Sequence, residues 1–147
     1  MRELPRQLTV EELAELFEGR TRLVELLAER QDPLGVAQAV ARTLSETEQL
    51  EALAAHPAIG ARTLSARSAA EQGDEEDPAV LAELAELNRA YEDRFGFRFI
   101  VFVDRRPKSA IVPILRERLA STRERELETA IDELVAIARD RWRQEGH

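Results

Sequence analysis

Residues 77–103 read DPAVLAELAELNRAYEDRFGFRFIVFV, and this stretch decides the fold class. Asp77 followed by Pro78 is typical of a helix start, because aspartate caps a first turn and proline fits its first position. Apolar residues then recur at helical spacing, and Gly96 marks the helix end. The predicted inward stripe of this helix comprises Val80, Leu81, Leu84, Leu87, Asn88 and Tyr91.

The run from Phe97 to Val103 alternates at its start and is then continuously apolar, which in isolation is typical of a strand. The sequence offers no partner strand, so we expect an extended segment buried between helices near residues 97–103. The whole chain, residues 1–147, is predicted to form one all-α domain, a single-domain helical bundle of about six to eight helices.

Local signals predict several helices in the N-terminal third. Thr9 with Glu12, and Ser45 with Glu48, have the capping-box pattern of a hydroxyl followed three residues later by a carboxylate. The dipeptide Asp32-Pro33 predicts a further helix start, with proline at the first helical position.

The C-terminal half predicts two more helices, over residues 108–119 and from about 123 to 143, after a turn at 105–107. The helix that follows Ser45 is expected to end near Ala55, because Pro57 disfavours helical geometry at the residue before it. Residues 56–77 have the least regular pattern, in which one or two short helices are expected.

Composition excludes several classes of protein. The chain has 147 residues and a formal net charge of −8, which argues against a nucleic-acid partner. An anionic substrate would therefore need locally placed cations. Nothing approaches the roughly 20 apolar residues of a membrane span, and the N-terminus is unlike a signal peptide, so we expect a cytoplasmic protein without a membrane partner.

The inventory of reactive residues is short. Cysteine is absent, which excludes disulfides, thiolate nucleophiles and cysteine-based zinc sites. The two histidines, His56 and His147, are too few for a multi-histidine metal site in one chain. A single lysine, Lys108, accompanies twenty arginines, which we interpret as a bias in codon composition.

His56 is the first candidate for chemistry. It lies at a predicted helix end, where a capping or core role would be ordinary. The functional interpretation is a general acid or base, because histidine titrates near neutral pH.

Residues 68–72, SAAEQ, are the second candidate. They match the capping-box pattern, in which Ser68 caps a short helix and Glu71 completes the box. Alternatively, Glu71 and Gln72 point into a cleft with His56. There the carboxylate would raise the pKa of His56, and the amide would suit a urea-like ligand.

The third candidate combines the segment Phe97–Val101 with two arginines. The segment is either core or, being unpaired in a sheet, offers its backbone groups to a ligand. Arg139 and Arg141 either interact with solvent and the dipole of the last helix, or one of them reaches inward to bind a carboxylate.

Four stretches, LAAHPAIG at 53–60, SAAEQG at 68–73, LNRAYEDRFGFRFI at 87–100 and IARDR at 137–141, occur in an order and spacing typical of one family. Over about residues 45–142 the chain resembles the decarboxylases of 2-oxo-4-hydroxy-4-carboxy-5-ureidoimidazoline, or OHCU decarboxylases.

The resemblance implies an all-helical lyase of urate degradation, without cofactor or metal, that converts OHCU to (S)-allantoin and CO₂. It implies His56 and Glu71 as catalytic residues. The substrate-binding residues it implies are Pro57, Ser68, Gln72, Phe97, Phe99, Ile100, Val101 and Arg141. It also implies a small anionic ureidoimidazoline substrate and a homodimer.

Two other functions remain open on the sequence. One is a non-enzymatic helical binding or assembly module built on the same scaffold. The other is a related lyase or hydrolase that acts on a different ureido or imidazole compound. Convergence of His56, Glu71, Gln72 and Arg141 on one cavity would favour an enzyme.

Overall fold

The computed structural model describes residues 7–56 and 77–144, and these residues contain seven α-helices and no strand. The all-α prediction is therefore confirmed, with a helix number inside the expected range. The helices are α1 (Val10–Phe17), α2 (Arg22–Ala28), α3 (Ala37–Thr43), α4 (Glu46–Ala54), α5 (Pro78–Phe95), α6 (Lys108–Leu119) and α7 (Arg123–Gln144).

Most helix starts follow from side-chain caps. The Thr9 and Ser45 capping boxes both form, at the N-termini of α1 and α4. Hydrogen bonds from Ser45 to the carboxylate lower the pKa of Glu48 below its ordinary range. Asp77 caps α5, whose first residue is Pro78, as the sequence predicts.

The predicted helix start at Asp32-Pro33 is wrong, because α3 begins at Ala37. Asp32 has a left-handed backbone, with φ of 73°, and its carboxylate accepts a hydrogen bond from the Gly35 N–H at 3.2 Å. The Asp32 carbonyl accepts another from the N–H of Val36. Asp32 thus organises a turn before the helix instead of capping the helix itself.

Contacts divide the chain into two compact units. The first comprises Met1–His56 and Ile131–His147, and the second comprises Pro57–Ala130. In the first unit α2 packs against α1, α3 and α4, around fully buried leucines that include Leu13, Leu23, Leu27 and Leu53. In the second unit α5 packs against α6.

The segment 97–103 is extended and mostly buried, as predicted. Gly96, with φ of 78°, ends α5 and turns the chain into it. The following turn comes one residue earlier than the predicted 105–107: Asp104 and Arg105 both have positive φ, and the Arg106 N–H donates to the Val103 carbonyl.

Among the described residues, every helix is too short or too polar to cross a membrane.

Candidate active site

His56 lies immediately after α4, in the first unit. Ala55 is the C-cap of α4, and the backbone N–H of His56 donates to the Leu53 carbonyl at 3.2 Å. The residue is only 7% exposed. The end of α4 therefore fixes the backbone of His56, and the residue is largely shielded from solvent.

The turn after α1 passes directly beside the end of α4. A Cβ atom on Gly19 would lie 2.8 Å from the Cβ atom of Ala55, closer than side-chain atoms pack. Glycine at this position therefore lets the turn approach the residue that precedes His56.

Arg141 is deeply buried, at 1% exposure, and binds the same end of α1. Its Nη1 donates to the Leu16 carbonyl at 2.9 Å, and its Nη2 lies 3.1 Å from Oε1 of Glu18. Glu18 is the left-handed C-cap of α1, with φ of 60°. Because Gly19 follows it, the residues that hold Arg141 adjoin those that contact Ala55.

Arg139, the other candidate arginine, binds a different segment. Its Nε donates to the Leu34 carbonyl at 2.8 Å, and its Nη2 to the Gly35 carbonyl at 3.4 Å. It thus ties the last helix to the turn before α3, whereas Arg141 binds the end of α1, next to the glycine that approaches Ala55.

Four aromatic residues of the second unit form a cluster around Tyr91. Its ring centroid lies 4.7 Å from that of Phe95, 5.9 Å from Phe97 and 5.3 Å from Phe99, in tilted or edge-on arrangements. Such geometries are favourable for aromatic pairs. The cluster anchors the start of the extended segment.

The residues predicted from the sequence do not include a buried polar group beside this cluster. Glu126, 3% exposed, accepts hydrogen bonds at the same oxygen from the Tyr91 hydroxyl and the Arg118 Nε, both at 2.7 Å. Arg118 also donates through Nη1 to the Ile100 carbonyl at 2.5 Å. Burial, and then the bond to Glu126, raise the pKa of Tyr91 far above its ordinary value.

A sequence signal for Glu126 did exist. It lies four residues before Ala130 and eight before Leu134, on the stripe of α7 that is buried. A carboxylate on an apolar stripe indicates a buried partner, because burial of an unpaired charge is costly. Arg118 carried no such signal, since arginine is common in the last turn of a helix.

The predicted site residues fall into three groups. His56 and Arg141 belong to the first unit. Phe97, Phe99, Ile100 and Val101 form one buried run in the second unit. Pro57, Ser68, Glu71 and Gln72, and the short helix expected around Ser68, lie outside the described residues, so their roles stay predictions.

Curated relatives of the chain include two OHCU decarboxylases. The protein of Halalkalicoccus jeotgali is 37% identical over 112 residues, which cover 71% of this chain and 64% of the relative. That of Haloferax volcanii is 35% identical over 99 residues, 64% of this chain and 59% of the relative. The chain thus spans a little under two thirds of the length of these relatives.

Two solved structures resemble the fold. A crystal structure of OHCU decarboxylase in the presence of (S)-allantoin has a TM-score of 0.74 at 25% identity, covering 88% of this chain and 94% of that one. A structure of (S)-allantoin synthase has a TM-score of 0.67 at 25% identity, covering 90% of this chain and 47% of that one.

The sequence model of the OHCU decarboxylase family matches residues 2–143, nearly the whole chain. This match includes the N-terminal third, beyond the stretches that carry the resemblance in the sequence. The chain therefore belongs to the OHCU decarboxylase family.

Proposed function

We propose that this protein decarboxylates OHCU to (S)-allantoin in urate degradation. The match of the family over residues 2–143 carries the proposal. The structural similarity to an OHCU decarboxylase that was crystallised with (S)-allantoin supports it.

The reaction needs little chemical equipment. The bond between the carboxylate carbon and the ring breaks, CO₂ leaves, and the electron pair is delocalised into the ring of the substrate itself. One proton then enters on one face of the carbon that becomes the stereocentre of allantoin. The protein must orient the carboxylate, stabilise the electron-rich intermediate and deliver that proton.

In this proposal His56 is the acid and base that protonates one face of the intermediate. Its burial supports the role, because a dry site limits protonation by water from either face. Glu71 acts with His56, and with Gln72 it receives the hydroxyl and ureido groups. Pro57 and Ser68 complete this part of the site.

Arg141 binds the substrate carboxylate, and the segment of Phe97, Phe99, Ile100 and Val101 binds the ring through its backbone. In the structure the charge of Arg141 is balanced by Glu18, 3.1 Å away. The arginine would therefore act through directed hydrogen bonds more than through a net positive field.

The test follows the optical activity of allantoin formed from freshly generated OHCU. We expect wild type to accelerate formation of the S enantiomer, and His56→Ala to lose at least about a hundredfold in rate, the usual contribution of a general acid or base. Arg89→Ala, on the exposed face of α5, is the matched control. Equal, racemic background rates for wild type and His56→Ala would contradict the proposal.

We further propose that residues 1–147 act as a single domain in a cytoplasmic homodimer. The family resemblance supports the dimer, and the absence of cysteine suits a reducing compartment. Sedimentation equilibrium should give twice the chain mass of 16.6 kDa. A species of single-chain mass at assay concentration would contradict the dimer.

A further inference from the structure

The carbonyl between Ile100 and Val101 is bound by a side chain from another element. Arg118, near the end of α6, donates through Nη1 to the Ile100 carbonyl at 2.5 Å. The same guanidinium lies over the Phe99 ring, 4.6 Å from its centroid. One side chain thus holds both the backbone and a ring of the extended segment.

Arg118 is itself fixed on its other edge. Its Nε donates to Glu126 at 2.7 Å, and Glu126 accepts a hydrogen bond from the Tyr91 hydroxyl at the same distance. Both acceptor and hydroxyl donor are buried, Glu126 at 3% and Tyr91 at 0% exposure. With two edges and one face engaged, the guanidinium has little rotational freedom.

Peptide geometry carries this constraint to the next residue. A trans peptide is planar, so its C=O and the following N–H point in opposite directions. The described residues contain no cis peptide. A carbonyl of Ile100 that is directed at Arg118 therefore directs the N–H of Val101 away from Arg118, on the other side of the segment.

We propose that Arg118, held by Glu126 and Tyr91, is a positioning residue that aims the Val101 N–H at a carbonyl oxygen of the substrate. The inference rests on the proposed function, in which the Phe97–Val101 backbone contacts OHCU. The ligand chemistry it specifies is a ureido or ring carbonyl, the acceptor that a backbone N–H requires.

Arginine is needed for this task because three contacts are made at once. A lysine has one nitrogen and no planar fork, so it cannot reach the Ile100 carbonyl and Glu126 along separate edges. Arg118→Lys keeps the charge that balances Glu126 and removes the fixed orientation. It therefore separates positioning from charge balance.

The test compares steady-state kinetics and product binding for Arg118→Lys and for Arg116→Lys, an exposed arginine of the same helix. We expect Arg118→Lys to raise KM for OHCU and Kd for (S)-allantoin about tenfold, the usual contribution of one well-placed hydrogen bond, with kcat within about twofold. Arg116→Lys should leave all three constants unchanged.

Amide NMR gives a readout that a purely structural role would not move. In wild type, (S)-allantoin should shift the Val101 amide resonance, and in folded Arg118→Lys this shift should shrink. Unchanged KM, Kd and Val101 shift would overturn the inference while leaving the proposed function intact. A wild type without activity or allantoin binding would overturn both.

If Arg118→Lys fails to fold, Glu126→Gln provides the second variant. This substitution keeps the shape of the side chain and weakens its bond to Arg118. KM should therefore rise about threefold, less than the rise expected for Arg118→Lys. An unchanged KM in folded Glu126→Gln would then overturn the inference.

Discussion

Two charged residues occupy the buried stripe of α7, and each has a partner outside α7. Glu126 is paired with Arg118, and Arg141 with Glu18. A buried charge is tolerated only when it is paired and hydrogen-bonded, and loss of one partner leaves the other uncompensated. These pairs therefore specify which elements meet α7, beyond what apolar packing would specify.

Tyr91 is the only tyrosine in the chain, so the tyrosinate signal of the protein reports on this residue alone. Burial and the bond to Glu126 raise its pKa, so the folded protein retains a proton that the unfolded chain releases near pH 10. This contribution to stability is fully present below that pH and is lost as the pH rises above it.

The measurement is an alkaline titration that records tyrosinate absorbance and helical circular dichroism together. We expect tyrosinate to appear only as helix content falls. A urea-unfolded sample provides the ordinary titration curve. Tyrosinate forming near pH 10 in protein of full helix content would contradict the burial of this hydroxyl.

At the scale of elements, the extended segment 97–103 shows how strand-like residues find partners when the described parts of the chain place no strand beside them. Arginine side chains supply hydrogen bonds that a sheet would have supplied. Arg118 binds the Ile100 carbonyl, and Arg106 binds the carbonyls of Phe102 and Val103 at 2.6 and 2.8 Å.

The turn that ends this segment is strained. Asp104 and Arg105 have φ of 51° and 59°, a left-handed conformation that costs a residue with a Cβ about 1 kcal/mol. Arg105→Gly should therefore raise the free energy of unfolding by about 0.5 kcal/mol, after the greater chain entropy of glycine is deducted. Urea denaturation measures this difference.

Arg105→Ala is the control for that substitution, because it removes the same exposed side chain and keeps the Cβ. It should give no gain in stability. An equal gain for alanine and glycine would show that the side chain, and not the backbone, is responsible.

Local signals predicted elements well and tertiary partners poorly. The Thr9 and Ser45 boxes and the limits of α5 depend on residues a few positions apart, and the structure contains them as predicted. The predicted start of α3 was wrong because an aspartate followed by proline is compatible both with a helix cap and with a turn. Arg118 was missed because its partners come from other segments.

For the site as well, the sequence predicted positions of residues better than their contacts. The position of His56 at the end of α4 follows from Pro57 and was predicted. The pairing of Arg141 with Glu18 was not, since 123 positions of chain separate the two residues and no periodicity relates them. The sequence thus predicts candidate residues, and the fold determines their partners.

For the molecule as a whole, the arginines have a shared use. Within residues 7–56 and 77–144, at least six of them donate to backbone carbonyls, nearly all at helix ends or in connecting segments. They are Arg94, Arg106, Arg118, Arg123, Arg139 and Arg141. These bonds show how the fold uses a composition in which arginine far outnumbers lysine.

Arg139→Lys tests this use. The two carbonyls of Leu34 and Gly35 need a planar fork, so the substitution should lower the free energy of unfolding by about 1 kcal/mol. Arg89→Lys on the exposed face of α5 should change it by less than about 0.5 kcal/mol. Equal effects in urea denaturation would contradict a specific role for the guanidinium.

The bonds of Arg139 and Arg141 can form only late in synthesis on the ribosome. They join residues 105 and 125 positions apart, so the first 56 residues emerge long before the partners that complete their unit. At about 5–20 residues per second, synthesis leaves this segment without those partners for several seconds. The nascent N-terminal helices must remain in solution for that interval without the hydrogen bonds from Arg139 and Arg141.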